Sequence, residues 1–513
     1  MTADLSVRLS SRGLARGAST KESYVRSSFA RLRLGTILAF AAAVGVISMG
    51  LAAPASAVAS ASPLTDPHRI EPLAARAYVW GLPAEFVYRF GNYSALVTAP
   101  RNTLGGGRAA AAWNNNATNA GDASVLYLNA MIDLSGQRDR GGTKALVLTV
   151  PPSNRHYYVA NLLDDFVNTV ASIGTRTTPS ARAQTYLLVG PTSRYARKCV
   201  ARIHGFTYRV VSYDTNLGWI LVRTRADTLV PASDPASAAS IQKNVLGRFA
   251  ISTLSQFEAQ GHQPEYFTPD EKPPTKPQQL RARKWQNAPR TAPAFFRQLG
   301  QSLKLSSLPD AVTGLNGIPL RSLPSWVAPQ YGAVRRYRNP SYPQRQTLAQ
   351  FKPLGLTAGG FTIPSNWGPR QRGALQKGYE DGQATVNTTL TKVGATPETN
   401  FWSYLNTIIG TYPNTPLGYL YRAAIVLEGG SANLPLDGVY AQINNLDGTS
   451  GTQIDGNNTY KLTFTPPVTD PATLPVVGAL PPTVNDRQGN PRGFWSILVY
   501  QTDSTESAAP FIT

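Results

Sequence analysis

The chain has 513 residues, with 49 Lys and Arg against 29 Asp and Glu, and one cysteine, Cys199. This length allows two or three domains, and a single thiol excludes an internal disulfide framework and any Cys-ligated zinc or iron–sulfur site. A hydrophobic content of 42% excludes wholesale disorder, while 43 Gly and 40 Pro favour turn-rich β architecture over long helical bundles.

The first 33 residues carry seven cations and two acids, and no further charge occurs until Asp66. The apolar run Ile37–Ala53 leads to Pro54 and Ala55-Ser56-Ala57, a small-x-small site at which a signal peptidase would cut after Ala57. The expected location is therefore secreted or extracytoplasmic. An uncleaved signal anchor is the alternative, since 17 apolar residues lie at the lower limit for crossing a bilayer.

Glu71–Arg89 has helical spacing, and the spacing predicts a helix interrupted at Gly81-Leu82-Pro83, because proline lacks the donor of the helical ladder and clashes with the preceding turn. Residues 101–122 are rich in Gly, Asn and Ala and read as a loop. Val125–Leu134, Ala145–Val150, His156–Leu162, Thr185–Val189 and Trp219–Thr224 are short, β-branched or aromatic, and bounded by turn residues, so they read as strands. A helical pattern returns at Ser237–Phe257, then at Leu375–Val386 and Leu417–Glu428, the last stopped by Gly429-Gly430. Tyr460–Phe464 and Phe494–Tyr500 read as strands again. The mixture reads as α+β with segregated sheets, in a multi-domain chain.

Familiar catalytic motifs are absent. There is no Gly-x-Ser-x-Gly elbow and no phosphate loop, and His68, His156, His204 and His262 lack metal-ligand spacing. No cofactor or metal is implied. Cys199 follows Arg197-Lys198, which would lower its pKa, or it is a half-buried strand thiol. The densest polar block is Arg155-His156-Tyr157-Tyr158, Asp164-Asp165, Asn168 and Gly174-Thr175-Arg176-Thr177. Alternation places Tyr158, Asn161 and Asp164 near one region, where a carboxylate, an amide and a guanidinium would orient a polar ligand. The plainer reading is ordinary ion pairing and turn capping at strand ends.

These residues resemble a bacterial family of paired domains, the domains of unknown function 1254 (N-terminal) and 1214 (C-terminal). The resemblance rests on Ala77-Tyr78-Val79-Trp80-Gly81-Leu82-Pro83, Leu126-Tyr127, Asp133-Leu134, Val147-Leu148-Thr149-Val150-Pro151, Arg155-x-Tyr157-Tyr158, Leu163-Asp164, Asn168 and Gly174-Thr175-Arg176-Thr177. Leu187–Pro191 and Trp219–Thr224 extend it, and Arg422-Ala423, Asn433, Tyr440, Tyr460-x-Leu462-x-Phe464 and Phe494-Trp495-Ser496 carry its C-terminal part. Ser124-Val125-Leu126-Tyr127 departs from the family's Asp-Thr-Leu-Tyr, so an acid of any shared site is missing or comes from Asp122. The chain also stops 13 residues after Tyr500, where similar proteins continue through further strands. The residues place a signal peptide at 1–57 and a basic Pro-rich linker with helices at 263–379; the resemblance implies a mixed α/β N-terminal domain at 64–262 and a β-sandwich-like C-terminal domain at 380–513, linked by helices. It implies no established activity.

Between Lys272 and Lys377 there are 17 Lys and Arg and one acid, Asp310. The net charge of +20 thus divides into an export segment of +5, a belt of +16 and a remainder of −1. Two functions fit. In the first, an exported protein binds or hydrolyses a small polar or glycan-like ligand in an N-terminal cleft. Asp164 would then be acid/base, Arg176 an anion stabiliser and Tyr158 a donor, with Tyr127, Asp133, Arg155, Asn168 and Trp495 binding the ligand. In the second, a non-catalytic protein docks on an anionic envelope surface through the belt, with Arg335, Arg336 and Arg338 in contact. Nucleic acid is a third and weaker partner for an exported chain.

Overall fold

The computed structural model describes residues 63–93, 100–109, 125–135, 145–152, 156–177, 182–226, 231, 233–234, 237–268, 288–306, 308, 318–327, 335–337, 344–390, 403–404, 409–438 and 440–442, with short pieces at 3–8, 459–464, 499–500 and 510–511. The first helix, α1, runs unbroken over Pro67–Tyr93 with Pro72 and Pro83 inside it. The expected interruption at Gly81-Leu82-Pro83 does not occur, because packing on all sides of α1 outweighs the local cost of proline. Gly81 leaves room for Leu299, which a Cβ there would meet at 2.3 Å. Arg422 donates to the Trp80 carbonyl at 3.3 Å, one residue from the carbonyl that Pro83 deprives of its donor.

Ten strands follow: β1 (Gly105–Ala109), β2 (Val125–Asp133), β3 (Ala145–Val150), β4 (Tyr158–Asp164), β5 (Thr169–Gly174), β6 (Gln184–Val189), β7 (Val200–Ile203), β8 (Phe206–Ser212), β9 (Leu217–Arg225) and β10 (Ala250–Thr253). They form two five-stranded sheets, ordered β1-β2-β9-β4-β5 and β10-β3-β6-β8-β7. All pairs are antiparallel except β6 with β8. The five strands expected from alternation are β2, β3, β4, β6 and β9. The expected loop at 101–122 contains β1, whose Gly-rich backbone pairs with β2 across a bulge between Gly106 and Arg108.

The fold class is α+β. Leu126, Leu128, Ala130 and Ile132 of β2 face Leu146, Leu148 and Val150 of β3, and Tyr158, Tyr186, Ile220 and Val222 fill the same core between the sheets. On the outer face of the first sheet, Met131, Leu163, Trp219 and Leu221 receive Phe86, Val87 and Phe90 of α1. The first half of α1 instead packs among α4 (Ala292–Ser306), α6 (Pro369–Leu390) and α7 (Pro416–Gly429). Short helices α2 (Ala238–Asn244), α3 (Leu254–Ala259) and α5 (Gln344–Ala349) complete the labelled helices, and β10 divides α2 from α3 where one helical pattern was expected. Gly430, at φ 72°, ends α7 as anticipated.

Of the residues expected to form an export segment, Ala3–Arg8 is described, as a strand antiparallel to Thr459–Phe464. Most of the expected C-terminal sandwich lies outside the described residues. Among the described residues no helix is long and apolar enough to cross a membrane.

Candidate functional site

Period-two alternation divides β4. Tyr158, Ala160 and Leu162 point into the inter-sheet core, while Asn161 and Leu163 lie on the outer face toward α1 and α7. The outer face carries a polar seam opposite the segment that follows α7. Asn161 Nδ2 and Arg223 Nη1 both donate to Asn433 Oδ1, at 2.9 and 2.8 Å, and Arg223 Nη2 donates to the Ser431 carbonyl at 3.1 Å. Farther along, Asp437 accepts from Arg176 Nε at 2.5 Å, Arg176 Nη2 at 3.0 Å and Ser172 Oγ at 2.6 Å. Tyr157 donates to the Asp437 carbonyl at 2.7 Å, and burial followed by the Asp437 charge pushes its hydroxyl pKa upward.

The β4–β5 turn holds two adjacent carboxylates in different environments. Asp164 Oδ1 accepts the backbone N–H groups of Phe166 and Asn168, each at 2.8 Å, and Oδ2 accepts Asn168 Nδ2 at 2.9 Å. These bonds hold Val167 at φ 60°, a left-handed conformation costly for a β-branched residue. Asp165 turns toward α4 and accepts the hydroxyls of Ser302, at 3.0 Å, and Ser306, at 2.5 Å. Burial raises its pKa to about 7 against the lowering effect of the two serines. Beside this turn Arg422 is buried between the rings of Phe166 and Tyr419, 5.1 Å from each centroid. Burial lowers its pKa, and the nearby Asp164 opposes that shift.

The three candidate catalytic residues are not gathered. Tyr158 is sealed between the sheets, donating to the Pro151 carbonyl at 2.8 Å, with its ring edge-on to Phe249. Asp164 and Arg176 lie at opposite ends of the β4–β5 pair, since Gly174 is level with Val159 whereas the Asp164–Asn168 turn closes the other end. At about 3.3 Å per residue this puts them on the order of 15–20 Å apart along the strands. Tyr127 is half-buried against the α1 cluster, opposite Arg223. Asp133 closes the far end of β2, pairing with Arg101 at 3.2 Å and receiving the Ser135 N–H at 2.9 Å. Asn168 gives its amide to Asp164 in the turn, and its buried Oδ1 accepts no hydrogen bond among the described residues. Arg155, Trp495 and Asp122 lie outside the described residues. Cys199 is half-buried, and burial raises its pKa, the opposite of an activated thiolate.

Charge pattern alone did not select Arg223 or Asp437. Arg422, Asn433 and Tyr440, which carry the C-terminal resemblance, do come together with the first sheet, Asn433 N–H donating to the Tyr440 hydroxyl at 3.2 Å.

Two other features lie apart from the seam. A small recess of about 10 Å³, the size of a single water, lies between β5 and β8 and is lined by Ser212, Asp214, Trp326 and Tyr337. The second is the belt, where Arg290, Arg297, Lys304, Arg321, Arg335 and Arg336 are exposed. Lys377 pairs with Glu71 and Asp381 at 3.0 and 2.8 Å. Arg290, Arg297, Lys304, Arg321 and Arg335 make no ion pair among the described residues. Arg338 lies outside those residues.

The DUF1254 family, described as "Protein of unknown function", matches residues 102–246. Residues 102–246 are therefore similar to a DUF1254 domain. The match spans nine of the ten sheet strands, β1 to β9, and ends in the short 3₁₀ turn after α2. The VPA0106 protein from Vibrio parahaemolyticus is similar over 72% of this chain and 69% of its own, with 15% identity and a TM-score of 0.43. An uncharacterized protein from Burkholderia cenocepacia is similar over 46% of this chain and 56% of its own, with 12% identity and a TM-score of 0.21. No curated protein matches the chain.

Proposed function

We propose that the chain is an exported, non-catalytic envelope protein that docks on an anionic surface through the 272–379 belt, with residues 380–513 as its DUF1214-like companion domain. The observation carrying this reading is the row of exposed cations, Arg290, Arg297, Lys304, Arg321 and Arg335, that pair with no carboxylate among the described residues. Arg297 and Lys304 are seven residues apart on α4, hence on nearly one stripe of the helix, and both are exposed. Arg335 and Arg336 are held in place by backbone pairing, Leu320 N–H to the Arg335 carbonyl and Tyr337 N–H to the Ile318 carbonyl, at 3.1 and 2.8 Å. Pre-ordered cations lose less freedom on meeting a polyanion. The carboxylates of the first sheet support a structural rather than catalytic part, because their oxygens are engaged by neighbouring donors. The test is retention of the full chain on dextran sulfate. Arg297→Gln, Lys304→Gln, Arg321→Gln and Arg335→Gln together should abolish retention and its salt dependence, and unchanged retention would refute the docking.

A further inference from the structure

The nearly neutral balance outside the belt conceals a second basic segment. From Val167 to Tyr213 there are seven Lys and Arg and no Asp or Glu. Four of these cations, Arg194, Arg197, Lys198 and Arg202, are exposed, and they occupy one corner of the second sheet. Successive turns, Ala196 N–H to the Ser193 carbonyl and Lys198 N–H to the Tyr195 carbonyl, coil the chain so that residues 194 and 198 meet the same ring. The Arg194 guanidinium lies 4.9 Å and the Lys198 ammonium 5.6 Å from the centroid of Tyr195. That ring is fixed, buried in a cluster with Ala196, Ala201 and Ile203. Two like charges are therefore held on one aromatic platform, and no described carboxylate pairs with either. The nearby acid Glu258 is directed to His204, at 2.9 Å.

The chain then enters β7, the edge strand of its sheet. Ala201 and Ile203 are buried, whereas Val200 and Arg202 are exposed, Val200 by 52%. An exposed apolar side chain within six residues of four exposed cations fits a partner whose negative groups overlie an apolar layer. A hydrated polyanion in solution would leave Val200 uncovered. We infer that this corner, Arg194, Arg197, Lys198 and Arg202 around Val200, is a docking site for an anionic lipid bilayer, the cations meeting headgroup phosphates and Val200 entering the interface. The site adds a second contact to the docking reading above and stands apart from the belt.

The test is co-sedimentation of the full chain with phosphatidylcholine vesicles, with and without phosphatidylglycerol. Wild type should bind the mixed vesicles and bind pure phosphatidylcholine far more weakly. The variant Arg194→Gln/Lys198→Gln/Arg202→Gln should lower partition by about a hundredfold, taking each cation near the surface as about a fivefold factor. Val200→Ser should lower it by a few-fold without changing its salt dependence, and Val200→Leu should raise it. Edge cations also discourage strand-to-strand association. If the triple variant self-associates yet binds vesicles like wild type, the inference is overturned, as it is if phosphatidylglycerol makes no difference. The fourfold belt variant keeps these outcomes separate: it should lose dextran sulfate retention while still binding vesicles through the corner.

Discussion

The polar seam on the first sheet and the basic surfaces of the belt and the β7 corner contain similar residue types in opposite states. In the seam and the β4–β5 turn, Asp164, Asp437, Arg176 and Arg223 are bonded to groups of the same chain, several of them buried. On the basic surfaces, Arg297, Lys304, Arg321 and Lys198 face solvent without a carboxylate among the described residues. Burying a charge is costly unless it is paired and bonded, so the seam must be satisfied internally for the fold to exist. Exposed charges are under no such demand. The seam thus specifies how the first sheet meets the α7 region, and the exposed basic surfaces remain available to partners.

The sharpest way to break this contrast is Asp164→Ala. It strands two buried backbone donors and the Asn168 amide, and should destabilise by about 3–5 kcal/mol in urea unfolding. A loss below ~1 kcal/mol would mean that the turn is not structural and would return Asp164 to chemistry.

Asp165 gives a pH-dependent version of the same test. Its folded pKa is raised to about 7 from an ordinary value of 3.8, so the folded state retains a proton that the unfolded state has lost between those values. Stability from this group is fully present below about pH 4, falls as pH rises toward 7 and stays at its lower level above. The full span is up to about 4 kcal/mol at ~1.4 kcal/mol per pKa unit. Asp165→Asn should flatten this part of the pH–stability profile, and an unchanged slope between pH 4 and 7 would assign the dependence to another group.

Asp437→Ala should cost less, about 1–2 kcal/mol, because Arg176 is 32% exposed and recovers water although Asp437 itself is 4% exposed. It should also raise amide exchange of Ser431–Asp437 more than that of β2. The smallest effect on folding belongs to Arg297→Gln with Lys304→Gln, which should shift urea stability by no more than about 0.5 kcal/mol. A larger loss would show that belt cations have internal partners and would erase the distinction between the two regions.

Much of the sheet framework was readable from the chain. Val125–Leu134 and Trp219–Thr224 declare strands through β-branched and aromatic residues between turn residues, and Gly430 marks the end of α7 because its backbone can adopt positive φ. β5, β7 and β8 were not recognised from their sequences. Thr169–Gly174 has six buried residues, a pattern made by its position between the core and the seam rather than by alternation. α1 passes through Pro83 for a related reason: Leu299 and Arg422 support it from more than 200 residues away.

The candidate site divides along the same line. Local sequence determined the α+β class, the basic belt and the Asp164–Asn168 turn, since propensity, charge and turn chemistry act over a few residues. Only the tertiary structure decided that Tyr158 faces the core while Asn161 faces the seam, and that Arg176 meets Asp437 rather than Asp164. Arg176 and Asp437 are 261 residues apart. No local preference encodes such a contact; it exists because stacking the two sheets and laying α1 and α7 across the first one buries enough apolar surface to bring those side chains together.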